Sequence, residues 1–325
     1  MASRENAAII ETFNRRRSAM SSNGKPSIGM VGIGLMGHGI ASNIARHGYP
    51  LTVLEHPGNQ PLDALKAAGA RSVASLADLA AGADVIILCV TGSPQVEAIV
   101  LGEGGLLQGM KPGTIVIDCS TAIPTSTQRV AEAVHAAGGR FLDTPMTRTP
   151  KEAAEGRLNL LVGGDAALLE ECRPLLSCFA ENITRTGGIG TGHGMKLLHN
   201  YVSLGTVALI AEAAACAQRA GVDADVFVDV LAKGGGGGVA LERLKSFITQ
   251  QDPAGLRFAM SNAQKDLGYY AEMAGGAQAA RAIADAVLAT YAGAVERGGP
   301  QRFVPELVAV LAQDGTVPPA QSPKG

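Results

Sequence analysis

From Ser27 onward, short apolar runs alternate with stretches whose apolar positions recur at helical spacing. The runs are SIGMVGI from Ser27, LTVLE from Leu51, DVIILCV from Asp84 and TIVIDCS from Thr114. Between them the spacing predicts helices near Leu35 to His47, through Leu79, and near Pro94 to Val100. Strands that alternate with helices in this way specify a parallel sheet with helices on both faces, so the expected class is α/β, doubly wound. Further units at Pro124 to Ala137, Arg140 to Asp143, Leu158 to Val162, Ala166 to Phe179 and Ile183 to Thr186 extend the same sheet. After the glycine-rich segment GGIGTGHG the pattern becomes purely helical. A long helix is predicted from about Gly194 to Ala220, stopped by Gly221, followed by helices over 224–232, 239–250, 261–274 and 278–296. The expected division is a nucleotide-binding domain over 27–190 and an all-helical C-terminal domain over 191–313. Residues 1–26 read as a flexible leader. Residues 314–325, with Pro318, Pro319 and Pro323, read as a disordered tail.

At 325 residues and 46% hydrophobic content, the chain has more than one core's worth of sequence. Lys and Arg together number 27 against 29 Asp and Glu, so there is no basic field to hold nucleic acid or an anionic membrane. A small-molecule role follows. Cys89, Cys119, Cys172, Cys178 and Cys216 show neither paired nor metal-ligand spacing and read as reduced thiols of a cytoplasmic protein; no metal is expected. The leader lacks an apolar export segment. The most apolar stretch, Leu197 to Cys216, is interrupted by His199, Asn200, Ser203 and Glu212, which predicts a buried helix rather than a membrane span. The run Gly234 to Gly238 reads as a helix-helix loop.

One motif changes this picture from class to chemistry. Gly32-Ile33-Gly34-Leu35-Met36-Gly37 is a GxGxxG that leaves an apolar strand and opens a helix. Gly32 permits the tight turn, Gly34 lets backbone approach a pyrophosphate at the helix N-terminus, and Gly37 allows close helix-sheet packing. This is the Rossmann fingerprint, and Leu35 and Met36 are carried with it as cofactor-binding positions. Glu55 closes the second strand at the distance where a carboxylate meets the adenine ribose hydroxyls and repels a 2′-phosphate. No arginine follows directly, so NAD is expected and NADP less so.

Lys196, His199, Asn200 and Ser203 fall at i, i+3, i+4 and i+7 on the long helix, whose other faces carry Leu197, Leu198, Val202, Leu204 and Val207. A polar stripe on an otherwise apolar helix implies a polar pocket, and desolvation draws a lysine toward the range useful for acid-base work. Spacing alone equally allows a lysine that reaches the rim or pairs with a carboxylate.

With these residues in view, the chain resembles the β-hydroxyacid dehydrogenases, typified by 3-hydroxyisobutyrate dehydrogenase. The resemblance runs from about Ile28 to Val310 through IGMVGIGLMGHGIASN, DVIILCVTGSPQVEAIVLGEGGLL, IVIDCSTAIP, FLDTPMTRTPKEAAEGRLNLLVGGD, GTGHGMKLLHN and QKDLGYYAEMA, in that order. It implies that Lys196 exchanges the hydroxyl proton during hydride transfer and that Asn200 orients lysine and substrate. It also implies that Thr121, Val90 and Thr91 lie against the cofactor, and that Lys265 reaches the cofactor from the helical domain. Ser120 is expected at the substrate. Homo-oligomers, dimers or tetramers, are expected through the helical domain.

Two departures bear on substrate. Thr147-Arg148-Thr149 stands where Ser-Gly-Gly is usual, and its arginine offers a planar charged fork for carboxylate, sulfonate or phosphate, similar to the branch containing sulfolactaldehyde reductase. An arginine holding Glu152 or Glu155 is the alternative. His199-Asn200 stands where Asn-Asn is usual, which is similar to 6-phosphogluconate dehydrogenase. The expected function is NAD-dependent interconversion of a small anionic 3-hydroxy acid, or hydroxy-sulfonate, and its semialdehyde. Oxidative decarboxylation, imine reduction and a non-catalytic nucleotide-binding module are the alternatives. Retention of Lys196 argues against the last two.

Overall fold

The computed structural model describes residues 24–313. Residues 1–23 of the expected leader and the whole expected tail, 314–325, lie outside the described residues. The chain divides into two compact units, Met1–Lys196 and Leu197–Gly325, and the dividing point falls inside one helix, Thr191–Arg219.

The first unit is built on a nine-stranded sheet: β1 Ile28–Val31, β2 Leu51–Leu54, β3 Arg71–Val73, β4 Val85–Leu88, β5 Ile115–Asp118, β6 Arg140–Asp143, β7 Met146–Thr147, β8 Leu158–Gly163 and β9 Ala180–Gly187. The order β3-β2-β1-β4-β5-β6 is parallel, and strand order reverses between β1 and β4. That reversal opens a crevice beyond the carboxyl ends of the strands, the usual place for a nucleotide. The apolar runs are continuous because both faces are covered. Ile28, Met30, Ile87, Ile115 and Ile117 enter one core with Ile40 and Ile44 of the helix Leu35–Arg46. Their neighbours Val31, Ile86, Leu88 and Val116 enter a second core with Val96, Val130 and Val134.

Beyond β6 the sheet departs from the all-parallel expectation. β8 runs antiparallel to β6, with Asp143 opposite Gly163, and to β7, with Met146 opposite Leu160. The chain leaves β6 almost straight into β7 and returns after the short helix Pro150–Glu155, so the link is a broad hairpin rather than a crossover. β3 and β7 also went unpredicted, being too short for the spacing to show. The helix Pro150–Glu155 lies on Leu35–Arg46 at Gly39, where an added Cβ would sit 2.6 Å from the Ala153 backbone. Asn43 secures it, donating to Gly39 O and Ala153 O at 2.9 Å each.

The second unit is helical, with Leu204, Val207, Leu241, Leu244, Phe247, Met260, Leu267, Tyr291 and Leu307 in its core. Its helices include Ala224–Lys233, Val239–Gln250, Met260–Gly276 and Ala282–Gly298. The last begins four residues later than 278, since Gln278 takes a left-handed φ of 53° that interrupts the helical run. A further helix, Leu307–Gln313, follows that the spacing did not show. Thr191–Arg219 is the one described helix long and apolar enough to cross a membrane, and 44% of its most apolar window is buried inside the structure. It is not apolar-buried all round, however. Leu197, Leu204 and Val207 are buried, whereas Leu198 and Val202 are 44% and 65% exposed.

Candidate active site

The three glycines of the fingerprint do three separate things. Gly32 holds φ at +91°, and a Cβ there would lie 2.3 Å from Cys89 O. A Cβ on Gly37 would lie 1.9 Å from Gly32 O, so only glycine lets the helix start this close to the turn. Gly34 differs: its φ of −76° suits any residue, and an added Cβ would meet nothing within 4 Å. The helix it opens has no side-chain cap and no acidic residue in its first turn. An open cradle at an uncapped N-terminus suits a pyrophosphate. Leu35 is 62% exposed beside it, an apolar side chain placed to cover a ligand, while Met36 packs on the core. Asn59 links the turn to the exit of β2, accepting from Ile33 N at 3.3 Å and donating to Leu54 O at 2.9 Å.

Glu55 stands directly after β2. Its Oε1 accepts from Ser72 Oγ at 2.6 Å and from Lys66 Nζ at 3.3 Å. The Ser72 hydrogen bond first, then Lys66, hold its carboxyl below the usual range, so it carries its charge at neutral pH. These residues fit the adenosine half of a dinucleotide.

The loops after β4 and β5 are laced together. Val90 N donates to Ser120 Oγ at 3.0 Å, Ser120 N donates to Asp118 Oδ1 at 2.9 Å, and Ile123 N donates to Ser93 Oγ at 2.8 Å. Ser120, expected at the substrate, is therefore 3% exposed with its amide committed to Asp118; it shapes the loop that presents Thr121. Val90 is half-buried and Thr91 exposed at the neighbouring strand end.

The substrate-loop residues each have a partner inside the unit. Thr147 Oγ1 accepts from Asn159 Nδ2 at 3.1 Å, and Thr149 donates through N and Oγ1 to Glu152 Oε2 at 3.0 and 2.5 Å, capping the short helix. Arg148 holds neither Glu152 nor Glu155. Its Nη1 pairs with Glu181 and with the carbonyl of Arg157, and its φ of 83° lies in the left-handed region.

Lys196 is half-buried on the first turns of Thr191–Arg219. Asp143, at the end of β6, sets where that helix begins: Oδ1 accepts from Gly190 N at 2.8 Å and Oδ2 from His193 N at 2.9 Å. Gly192 makes the approach possible, since a Cβ there would lie 2.5 Å from Leu161 O and 2.7 Å from Asp143 Oδ2. The lysine is thus delivered to the same carboxyl edge of the sheet that carries the glycine turn. Asp143 was missed in the sequence. Its signal was a carboxylate ending an apolar strand, FLD, just as Asp118 ends IVID.

In the second unit, Asn200 and Lys265 converge on Asp266, which is 3% exposed, and His199 adjoins Asn200. Asn200 Nδ2 donates to Asp266 Oδ2 and Lys265 Nζ to Oδ1, both at 2.7 Å. Only the amide nitrogen can donate to a carboxylate, so Asn200 Oδ1 faces His199 Nδ1 at 3.0 Å and that nitrogen carries a proton. Lys265 also lies 4.9 Å above the Tyr269 ring. Both ends of the Asn200 amide are engaged in this network, and His199 is exposed rather than part of a buried stripe.

An open glycine cradle at the reversal point of a doubly wound sheet, with an ionised carboxylate after β2 and a lysine helix anchored to the same edge, defines a dinucleotide-dependent oxidoreductase. Residues 27–188 match the model of the NAD-binding domain of 6-phosphogluconate dehydrogenase, and residues 190–311 that of the NAD-binding domain of NADP-dependent 3-hydroxyisobutyrate dehydrogenase. The NAD-dependent L-serine dehydrogenase of Pseudomonas aeruginosa is 33% identical over 281 residues, 85% of this chain and 94% of that one. The chain belongs to the β-hydroxyacid dehydrogenase family, and is an NAD(P)-dependent enzyme acting on CH–OH groups. The 2-hydroxy-3-oxopropionate reductase of Escherichia coli is 34% identical over 196 residues, 60% of this chain and 66% of that one. Among solved structures, 3-hydroxyisobutyrate dehydrogenase from Salmonella typhimurium aligns with a TM-score of 0.77 at 28% identity, covering 87% of this chain and 99% of that one.

Proposed function

We propose that this enzyme interconverts a small anionic 3-hydroxy acid, or hydroxy-sulfonate, and its semialdehyde, using NAD. The observation that carries the reading is the anchoring of the Lys196 helix by Asp143 to the sheet edge that bears the open Gly34 cradle. NAD, when bound, supplies the hydride acceptor for alcohol oxidation and, reduced, the donor for carbonyl reduction. Lys196 Nζ takes the hydroxyl proton in oxidation and returns it to the carbonyl oxygen in reduction. Gly32, Gly34, Leu35, Met36, Gly37, Glu55, Val90, Thr91, Thr121 and Lys265 are assigned to the cofactor. Ser120, Thr147, Thr149, His199 and Asn200 are assigned to the substrate with Arg148. We assign cofactor binding to 27–190 and substrate contacts and pairing of copies to 191–313. A homo-oligomer paired through the helical unit is part of this proposal; Val202, Leu209 and Ile283 there are 65%, 68% and 70% exposed. All five cysteines are free, as suits the cytoplasm.

NAD is preferred because the ionised Glu55 repels a 2′-phosphate. Glu55→Ser is expected to move the NADH-to-NADPH ratio of kcat/KM toward NADPH by about tenfold or more. An unchanged ratio removes Glu55 from cofactor selection.

Arg148 is the proposed grip on the anionic head group. Its pair with Glu181 is largely exposed, 27% and 48% for the two side chains, and such pairs contribute about 0–1 kcal/mol, so a substrate anion displaces Glu181 at small cost. The test is NADH oxidation with semialdehydes of one carbon skeleton bearing carboxylate, sulfonate or phosphate, in wild type and Arg148→Gly. Glycine removes the fork while relieving the left-handed backbone. Loss of a charge-assisted hydrogen bond is expected to raise KM by about tenfold to a hundredfold and flatten the head-group preference. Identical preferences in both proteins sink the arginine grip. Absence of turnover of every hydroxy acid and semialdehyde by wild type sinks the function.

A further inference from the structure

Under the first turn of Thr191–Arg219 lies a closed polar cluster in which Asp143 anchors the helix, while the Asp118 carboxyl and the His193 ring have no part in the chemistry above. Asp118, Asp143 and His193 are 0% exposed and Thr127 is 1% exposed. Most of its polar atoms are satisfied: Asp143 by the Gly190 and His193 amides, Asp118 Oδ1 by Ser120 N, and His193 Nδ1 by Thr127 Oγ1 at 2.7 Å. Two atoms are not. Asp118 Oδ2 and His193 Nε2 are buried without a hydrogen-bond partner and face one another across 3.9 Å. Buried polar atoms are costly to leave unpaired, and this oxygen and this nitrogen lie within ion-pair range of one another but beyond hydrogen-bond length. A single proton held between them would satisfy both once the side chains close by about 1 Å.

The two residues join the two segments that the proposed reaction must hold in register. Asp118 braces the Ser120–Thr121 loop through its other oxygen, and His193 stands three positions before Lys196 on the same helix. We propose that Asp118 and His193 are positioning residues, holding one proton between Oδ2 and Nε2 so as to tie the Ser120–Thr121 loop to the helix turn that carries Lys196. The assignment rests on Lys196 as the proton-handling group.

The surroundings favour a retained proton. Burial first, and then the Asp143 charge, push the Asp118 carboxyl up, against the opposing effects of His193 and Ser120. The other titratable neighbours stay neutral: burial pushes the Cys89 thiol up to about 12 and the Cys119 thiol well above its ordinary value. Thr127, from the helix Pro124–Ala136, does not titrate. Because the folded carboxyl is raised, the folded chain binds the proton more tightly than the unfolded one. The stability this contributes is present at low pH and is lost as pH rises through the raised value.

The experiment measures kcat, KM, NADH affinity and urea-denaturation midpoints between about pH 5 and 9 for wild type, Asp118→Asn, His193→Leu and His193→Gln. The asparagine keeps an oxygen for Ser120 N and puts a non-titrating donor opposite Nε2. It is expected to keep kcat within about threefold and to abolish the wild-type fall of midpoint with rising pH. His193→Leu is expected to keep NADH affinity and lose kcat about a hundredfold, as an ångström-scale shift of a catalytic group does. His193→Gln, whose amide can donate to Asp118, is expected to recover at least about a tenth of wild-type kcat, and it decides the point if the leucine variant fails to fold. Wild-type kcat in His193→Leu overturns the proposal, as does equal loss in His193→Leu and Asp118→Asn. If wild type turns over no hydroxy acid or semialdehyde, the reading of Lys196 falls, and the midpoints still decide the tie: identical pH dependence in wild type and Asp118→Asn overturns it.

Discussion

Lys196→Ala is expected to lower kcat by about 10³-fold while leaving the Kd for NADH within about twofold. The two effects separate because the lysine and the cofactor turn lie on different segments, with Lys196 on Thr191–Arg219 and the glycines at the start of Leu35–Arg46. Alanine is the best helix former, so the turn keeps its backbone, and the Asp143 contacts to Gly190 and His193 involve no atom of Lys196. What disappears is the amine with its methylene stem. Oxidising the alcohol then sheds its proton to water, and positioned acid-base groups account for about 10² to 10⁴ of rate. Single-turnover NADH oxidation and fluorescence titration read the two quantities, and small primary amines added to the variant are expected to restore part of the rate. Full activity in Lys196→Ala sinks the assignment of Lys196, and a large loss of NADH affinity shows that the residue serves binding instead.

The second large effect is a contrast between two glycines three residues apart. Gly37→Val is expected to destabilise the chain by about 3 kcal/mol or to prevent folding, since its Cβ would sit 1.9 Å from Gly32 O, backbone that cannot yield without opening the turn. Gly34→Val is expected to fold with wild-type stability, because its backbone angles suit valine and nothing lies within 4 Å of the added Cβ. Its NADH affinity is expected to fall about a hundredfold, the loss of roughly two pyrophosphate hydrogen bonds at about 1.5 kcal/mol each. Urea denaturation and NADH titration separate the outcomes. Undiminished NADH binding by Gly34→Val would place the pyrophosphate elsewhere.

The contrast also shows why some features were legible in the sequence. Gly32, Gly34 and Gly37 act within one turn, and local backbone geometry is written locally. The core strands were visible because burial on both faces demands unbroken apolar runs such as VIIL and IVID. β3 and β7, at three and two residues, carry too few positions for a period to register. The antiparallel return of β8 was hidden for another reason: an apolar strand reads the same in either direction, and only its pairing shows which way it runs.

Side-chain partnership was the part that spacing did not contain. The carboxylate alternative for Arg148 placed its partner within the short helix, at Glu152 or Glu155, and the carboxylate it meets is Glu181, 33 residues on. Asn200 was read beside Lys196, and its amide is held by Asp266, 66 residues away. His193 drew no attention in the sequence, yet its amide meets Asp143 across 50 residues and its ring faces Asp118.

By itself, the order of apolar runs and glycines determined that this chain builds a doubly wound nucleotide sheet followed by helices, and it pointed to one lysine for the expected chemistry. Tertiary structure alone decided that Asp143 starts the lysine helix, that Asp266 gathers Asn200 and Lys265, and that Asp118 and His193 face each other at 3.9 Å. The physical reason is range: backbone conformation and burial follow from neighbours in sequence. A hydrogen bond between distant side chains exists only once strand register and helix packing have brought donor and acceptor to within about 3 Å.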